Sequence, residues 1–211
     1  VGGVVEGMAR VARGELANAF CFIGAGGHHA GRSFFGGYCC FNDVVIALAH
    51  ARGLRFLRRV AILDTDAHHG DGTRDLVDRD PEVLHVCVCE TDYSSPDETK
   101  IDIAAPDPWG LEVSPDRAYL NLVRQGFPTR AERFKPDLIV WYFGFDTHRG
   151  DYGDLGLTSA AFFGIADLML ETAARVCGGK LLVVLGGGSR TDLATLLIPP
   201  IITRLAGLAS L

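Results

Sequence analysis

Residues 62–73, ILDTDAHHGDGT, end a short apolar run in three aspartates and two adjacent histidines. Asp64, Asp66 and His68 alternate, so a strand continuing through them would turn all three to one side. An aspartate and a histidine two residues apart can grip one cation. Carboxylate and imidazole without thiolate suit Zn²⁺ or a similar divalent ion. His69, beside His68, is the weaker candidate, because an adjacent histidine often only hydrogen-bonds locally. Gly70 and Gly72 fit a tight turn into a helix.

Three further stretches carry chemistry. GGHHAG at 26–31 places His28 and His29 in a glycine-rich loop, where the pair could take a proton from a water and return it to a leaving amine. Each needs a carboxylate to fix its tautomer, and Asp64 and Asp71 are available. FGFDTHRGD at 143–151 brings Asp146 to a strand end as a third ligand candidate, with His148 as a rim residue. A late glycine run, LGGGSR, closes another apolar segment at 185–190.

Positioning these residues requires alternating strands and helices. Helical spacing of Val4, Val5, Met8, Val11, Ala12 and Leu16 predicts a helix within 2–19, and FCFI at 20–23 reads as a buried strand. A helix is expected at 42–51, then strands VAILD at 60–64 and LHVCVC at 84–89. Residues 92–113, broken and flanked by prolines, read as irregular. Helices at 116–126 and 158–175 alternate with strands at 137–143 and 180–185, and an apolar helix ends the chain. Strands apolar on both faces, alternating with helices, imply a parallel sheet covered on both sides. Ligands in such sheets bind at the carboxyl ends of strands, where every candidate above falls.

The bounds agree with one domain over residues 1–211. The 211 residues are 48 % hydrophobic and 22 % charged, with a net charge of −6. An acidic balance without basic runs argues against binding nucleic-acid phosphates. No apolar stretch has the length of a membrane span, and no signal peptide pattern opens the chain. The six cysteines form no C-x-x-C pair and read as core thiols, which suits a reducing cytoplasm.

Taken together, GHHA, G-x-C-x-F-N, D-x-D-x-HHGDGT, GFD followed by GD and then LT, and the late GGG resemble the histone deacetylase and acetylpolyamine amidohydrolase family, in family order from about Gly7 to Leu208. The resemblance implies an arginase-like α/β fold, a three-layer, mostly parallel sheet with helices on both faces. It implies zinc-dependent removal of an acyl group from a lysine, a polyamine or another amine. By position, one zinc ion would be held by Asp66, His68 and Asp146. His28 and His29 would be the catalytic pair, oriented by Asp64 and Asp71 respectively. Gly37, Tyr38, Gly187 and Gly188 would contact substrate, with Tyr38 as an aromatic wall. A potassium ion would sit at the backbone carbonyls of Asp64, Asp66 and His68.

The sequence departs from that pattern twice. The family follows its GGG with a tyrosine that donates to the oxyanion, whereas this chain offers Ser189, Arg190 and Thr191. Losing one such donor costs roughly 2.7–4 kcal/mol, so weak acetyl activity is expected unless Arg190 substitutes. The family's usual N-terminal strand and substrate-gripping loop are also not matched. Two other readings follow: a non-catalytic binder of acylated amines, and a two-manganese ureohydrolase, which needs carboxylates where Gly70 and His148 stand.

Overall fold

The computed structural model describes residues 1–24, 26–110 and 113–208. Seven strands form one sheet: β1 (Asn18–Cys21), β2 (Val60–Asp64), β3 (Val83–Cys89), β4 (Tyr93–Ser94), β5 (Lys100–Ala104), β6 (Leu138–Phe143) and β7 (Leu181–Leu185). Their order is β1-β7-β6-β2-β3-β5-β4. All neighbours run parallel except the terminal pair β4 and β5. The expected parallel α/β sheet with helices on both faces is therefore what the chain forms.

Side-chain alternation divides the core into two. Ala61, Leu63, Ile139, Trp141, Phe143, Leu181 and Val183 face α4 (Pro115–Gly126), α5 (Pro128–Phe134), α6 (Ser159–Cys177) and α7 (Thr191–Leu205). Val60, Ile62, Leu138, Val140, Tyr142, Leu182 and Val184 face α1 (Gly2–Ala12), α2 (Asp43–Gly53) and α3 (Asp71–Val77). Strands β2, β6 and β7, buried on both faces, are apolar or aromatic up to their ends, so their carboxyl edge is where chemistry can collect.

Three expectations need correction. The first strand lies two residues earlier than FCFI, because parallel pairing of Asn18–Cys21 with Leu181–Val184 sets its register, and Phe22 is left exposed. The first helix ends at Ala12 rather than nearer 19. The segment expected to be irregular contains β4 and β5. In β5, Lys100 is wholly buried because its ammonium donates to the carbonyls of Asp80 and Val83. The short α5, which begins on Pro128 at its N-terminal turn, was also not expected.

Candidate metal and catalytic site

Strand β2 delivers the centre of the site. Following the alternation of Val60 and Ile62, Asp64 turns toward α2 and α3, is fully buried, and lies 2.9 Å from Nδ1 of His28. Beyond the strand the chain bends rather than continuing. The Asp66 amide donates to Asp64 Oδ1 and the His68 amide to Asp66 Oδ1, both at 3.1 Å. These local bonds aim Asp66 and His68 at the end of β6, where Asp146 waits.

Donor atoms of Asp66, His68 and Asp146 all lie within 4.8 Å of one another. Nδ1 of His68 stands 3.1 Å from Asp66 Oδ1 and 3.1 Å from Asp146 Oδ2. Both carboxylates are buried, and among the described residues neither pairs with an arginine or lysine. Burial, reinforced by the charge of Asp66, pushes the Asp146 carboxyl up to about 7. Asp66, against the pull of its burial, is held below the usual carboxylate range by His28 and by hydrogen bonds from His68. Hydrogen bonds to Asp146 and Asp66 raise His68 to about 10. Two crowded carboxylates without a fixed cation, sharing one imidazole, are the donor set a divalent ion fits.

The two loop histidines occupy unequal positions. His28 is buried, with Asp64 on Nδ1 and Asp66 3.6 Å from Nε2. Burial alone would lower its pKa, yet Asp64 and Asp66 together raise it to about 10. The His29 ring packs 4.1 Å from His28, is partly exposed, and its Nδ1 is 2.6 Å from Asp71 at the start of α3. The pairing of His28 with Asp64 and of His29 with Asp71 is the one expected. Asn42 ties the two loops together: its amide donates to the Ala30 carbonyl and the Thr73 hydroxyl.

These groups open into a cavity of about 240 Å³ whose walls include His28, His29, Gly37, Tyr38, Cys39, Asp66, His68, Tyr152 and Gly187. Gly37 has φ +50°, and a Cβ there would fall 2.1 Å from the His29 ring, so only glycine lets the loop close on the histidine. Tyr38 stands at the mouth, 94 % exposed. The Gly187 amide donates to Asp66 Oδ2 at 2.6 Å, and the Gly188 amide to the Tyr152 hydroxyl at 3.1 Å. A wider groove of about 750 Å³ beside β5 and α4 contains none of the candidate residues.

Several candidates fall outside this group. His69 turns away toward Asp102, 3.4 Å off, and with Cys89 and Asp102 forms a separate cluster whose carboxylate is already held by the Arg74 guanidinium. His148 is no ligand: its ring stacks on Phe162 and its Nδ1 lies 2.8 Å from the Arg149 carbonyl. Ser189 donates its hydroxyl to Asp151, and the Arg190 guanidinium forks onto Asp192 and reaches the Gly150 carbonyl. Neither lines the cavity, so the expected oxyanion substitute at Arg190 points elsewhere. Tyr152 is the residue that sequence reasoning missed. Its one signal was its place in GDYGDLGLT at 150–158, directly after an aspartate that binds the glycine-run loop.

Residues 1–198 match the histone deacetylase domain. The chain belongs to the histone deacetylase family. Its similarity to histone deacetylase 14, chloroplastic, of Arabidopsis thaliana is 34 % identity over 178 residues, covering 80 % of this chain and 42 % of that protein. Histone deacetylase 9 of Homo sapiens is 32 % identical over 208 residues, covering 89 % of this chain and 20 % of that protein. The crystal structure of the HDA15 HD domain superposes with a TM-score of 0.82 at 25 % identity, over 99 % of this chain and 61 % of that one. The chain thus spans less than half the length of these two curated relatives. No helix among the described residues is long and apolar enough to cross a membrane.

Proposed function

We propose that this histone deacetylase-family chain hydrolyses the amide bond of an acylated lysine or other acylated amine, with zinc held by Asp66, His68 and Asp146. The observation that carries the reading is the convergence of those three donors, with Asp66 and His68 lining a cavity that two carboxylate-paired histidines also line and Asp146 buried behind them. Bound there, zinc supplies Lewis-acid polarisation and a water of lowered pKa. The chain's own groups supply positioning and proton transfer. Asp71 holds the His29 ring so that its other nitrogen is free to take a proton from the attacking water and return it to the departing amine nitrogen. Asp64 fixes His28 in the same manner, deeper in the site.

The carbonyls of Asp64, Asp66 and His68 are the proposed seat of a potassium ion, which would brace the strand end that carries the zinc ligands. Free thiols throughout suit a reducing cytoplasm, although two relatives are chloroplastic by name. A ureohydrolase needs a second set of ligands, and the described residues gather three donors at this cavity, with His148 turned away.

The test is metal content together with a panel of fluorogenic lysines bearing different acyl groups. One zinc per chain and zinc-dependent release of at least one acyl group support the reading. Zinc bound without turnover of any member would overturn the reading, and calorimetric binding of an acylated lysine by that protein would instead make it a binder of acylated amines.

A further inference from the structure

We propose that Tyr152, on the loop after β6, is the oxyanion donor of this site. The inference rests on the deacylase reading above and assigns a residue to it. Hydrolysis drives the electron pair of the acyl C=O onto oxygen as water adds to the carbon. A donor preplaced at that oxygen stabilises the charge most where water is excluded. When the C–N bond breaks the pair returns, and the amine nitrogen takes its proton through the histidines. The donor lends a hydrogen bond and gives up no proton.

Four observations place Tyr152 there. Its ring stacks on His68, with centroids 5.5 Å apart and planes inclined by 24°. Its hydroxyl converges with the carboxylates: the point where a Cβ on Gly187 would sit is 2.6 Å from that oxygen, 2.5 Å from Asp66 Oδ2 and 2.8 Å from Asp146 Oδ2. The hydroxyl accepts from the Gly188 amide and, among the described residues, donates to no protein group, so its proton is free to point into the cavity. The alternatives are occupied or remote, since Ser189 is bound to Asp151, Arg190 to Asp192, and Tyr38 stands exposed at the mouth.

The loop is also fixed. Asp151, next to Tyr152, accepts from the Ser189 amide and hydroxyl and from the Arg190 amide, so the segment that lacks a tyrosine is the one that clamps Tyr152 in place. The glycine run gives the phenol its seat and a polarising N–H.

The experiment compares the zinc-loaded wild type with Tyr152→Phe. It measures kcat and KM on acetyl-lysine and trifluoroacetyl-lysine substrates, zinc by chelator titration, and calorimetric affinity for a trifluoromethyl ketone whose hydrate mimics the tetrahedral adduct. Loss of the donor should cut kcat on acetyl-lysine about 10²–10³-fold, with KM and zinc content retained and the ketone bound more weakly. Trifluoroacetyl turnover should fall less, because its less basic oxyanion needs less help. Undiminished acetyl turnover overturns the proposal. So does an equal loss on both substrates accompanied by loss of zinc, which would mark Tyr152 as mere loop support. A comparable acetyl defect in Arg190→Ala, with Tyr152→Phe unimpaired, would assign the role to the arginine. If the wild type itself cleaves neither substrate, the deacylase reading fails. Cleavage by the wild type and by Tyr152→Phe alike sinks only the tyrosine.

Discussion

Replacing Gly187 by alanine puts one methyl group at the meeting point of the site. An ideal Cβ there is 2.5 Å from Asp66 Oδ2, 2.6 Å from the Tyr152 hydroxyl and 2.8 Å from Asp146 Oδ2, whereas ordinary contact begins near 3.4 Å. The backbone gives no relief and needs none: Gly187 does not have a positive φ, unlike Gly188 at +134°. The Tyr152 backbone is held through Asp151, but its phenol is more than half exposed and can tilt aside. The carboxylates cannot, since Asp66 is anchored by the amide of Gly187 itself and Asp146 by the amide of Ala67. Two of the three proposed ligands must therefore retreat by roughly 0.6–0.9 Å, and a misplacement of about 1 Å can cost a hundredfold. Gly187→Ala should weaken zinc binding about a hundredfold and turnover by at least as much, because overpacking moves the ligands rather than removing them. Chelator competition reads the first quantity and a fluorogenic assay the second. The fold should persist, with overpacking costing about 1–3 kcal/mol, a few degrees per kcal/mol in a thermal melt. Wild-type zinc affinity and turnover in this variant would show that the carboxylates do not act together where the structure puts them.

Asp146→Ala removes a donor outright, so purified protein should lose most of its zinc; stoichiometric metal in that variant would take Asp146 out of the site. His29→Ala should lower kcat about 10²–10⁴-fold while zinc stays bound, as general acid–base catalysis predicts, and a parallel loss of zinc would make the histidine a ligand. Acid stability supplies a prediction outside the cavity. Burial, then the charge of Arg74, holds His85 well below the ordinary histidine range, and its Nδ1 accepts from Arg74 at 3.3 Å. The unfolded chain protonates this group near pH ~6.5 while the folded chain refuses the proton, so its contribution is full above that pH and drains as pH falls, by about 1.4 kcal/mol at pH ~5.5. His85→Gln keeps an acceptor for Arg74 without titrating. Urea denaturation at pH ~8 and pH ~5.5 should show wild type losing about 1.4 kcal/mol more than the variant, and equal losses would refute the assignment.

What the sequence disclosed and what it hid follow one physical line. Asp64, Asp66 and His68 were legible because the carboxyl-end rule acts over a few residues. The alternation expected of them stops at Asp64, where the chain bends and turns Asp64 to His28 instead of to the donor set. The pairing of His28 with Asp64 and of His29 with Asp71 came from the family resemblance, and the geometry agrees with it. Strand β5 was hidden because its polar residues look wrong for a sheet until their partners are known. Lys100 is satisfied by carbonyls at Asp80 and Val83, and Asp102 by Arg74 on α3, both distant in sequence. Tyr152 was hidden for the same reason. A tyrosine in a loop announces nothing until β6 and β7 are neighbours and Asp151 reaches across to Ser189.

That cross-tie bears on how the site keeps its shape. Asp66 comes from the β2 loop and is held by the Gly187 amide of the β7 loop; Asp146 comes from β6 and is held by the Ala67 amide of the β2 loop. Asp151, on the β6 loop, binds the β7 loop again, and the Trp141 indole of β6 donates to the Thr65 hydroxyl beside the ligand run. Both carboxylates among the proposed ligands thus depend on backbone contributed by a neighbouring strand end. Preorganisation of this kind lets donors meet a developing charge without first having to move. It also explains why glycine is needed at Gly187, where the loop passes between two carboxylates and a phenol. Where β-carbon space has been surrendered to three functional oxygens, a tyrosine on that same segment is not the only way to bring a hydroxyl to the site. One arriving from the adjacent loop and resting on the glycine run serves the same geometry.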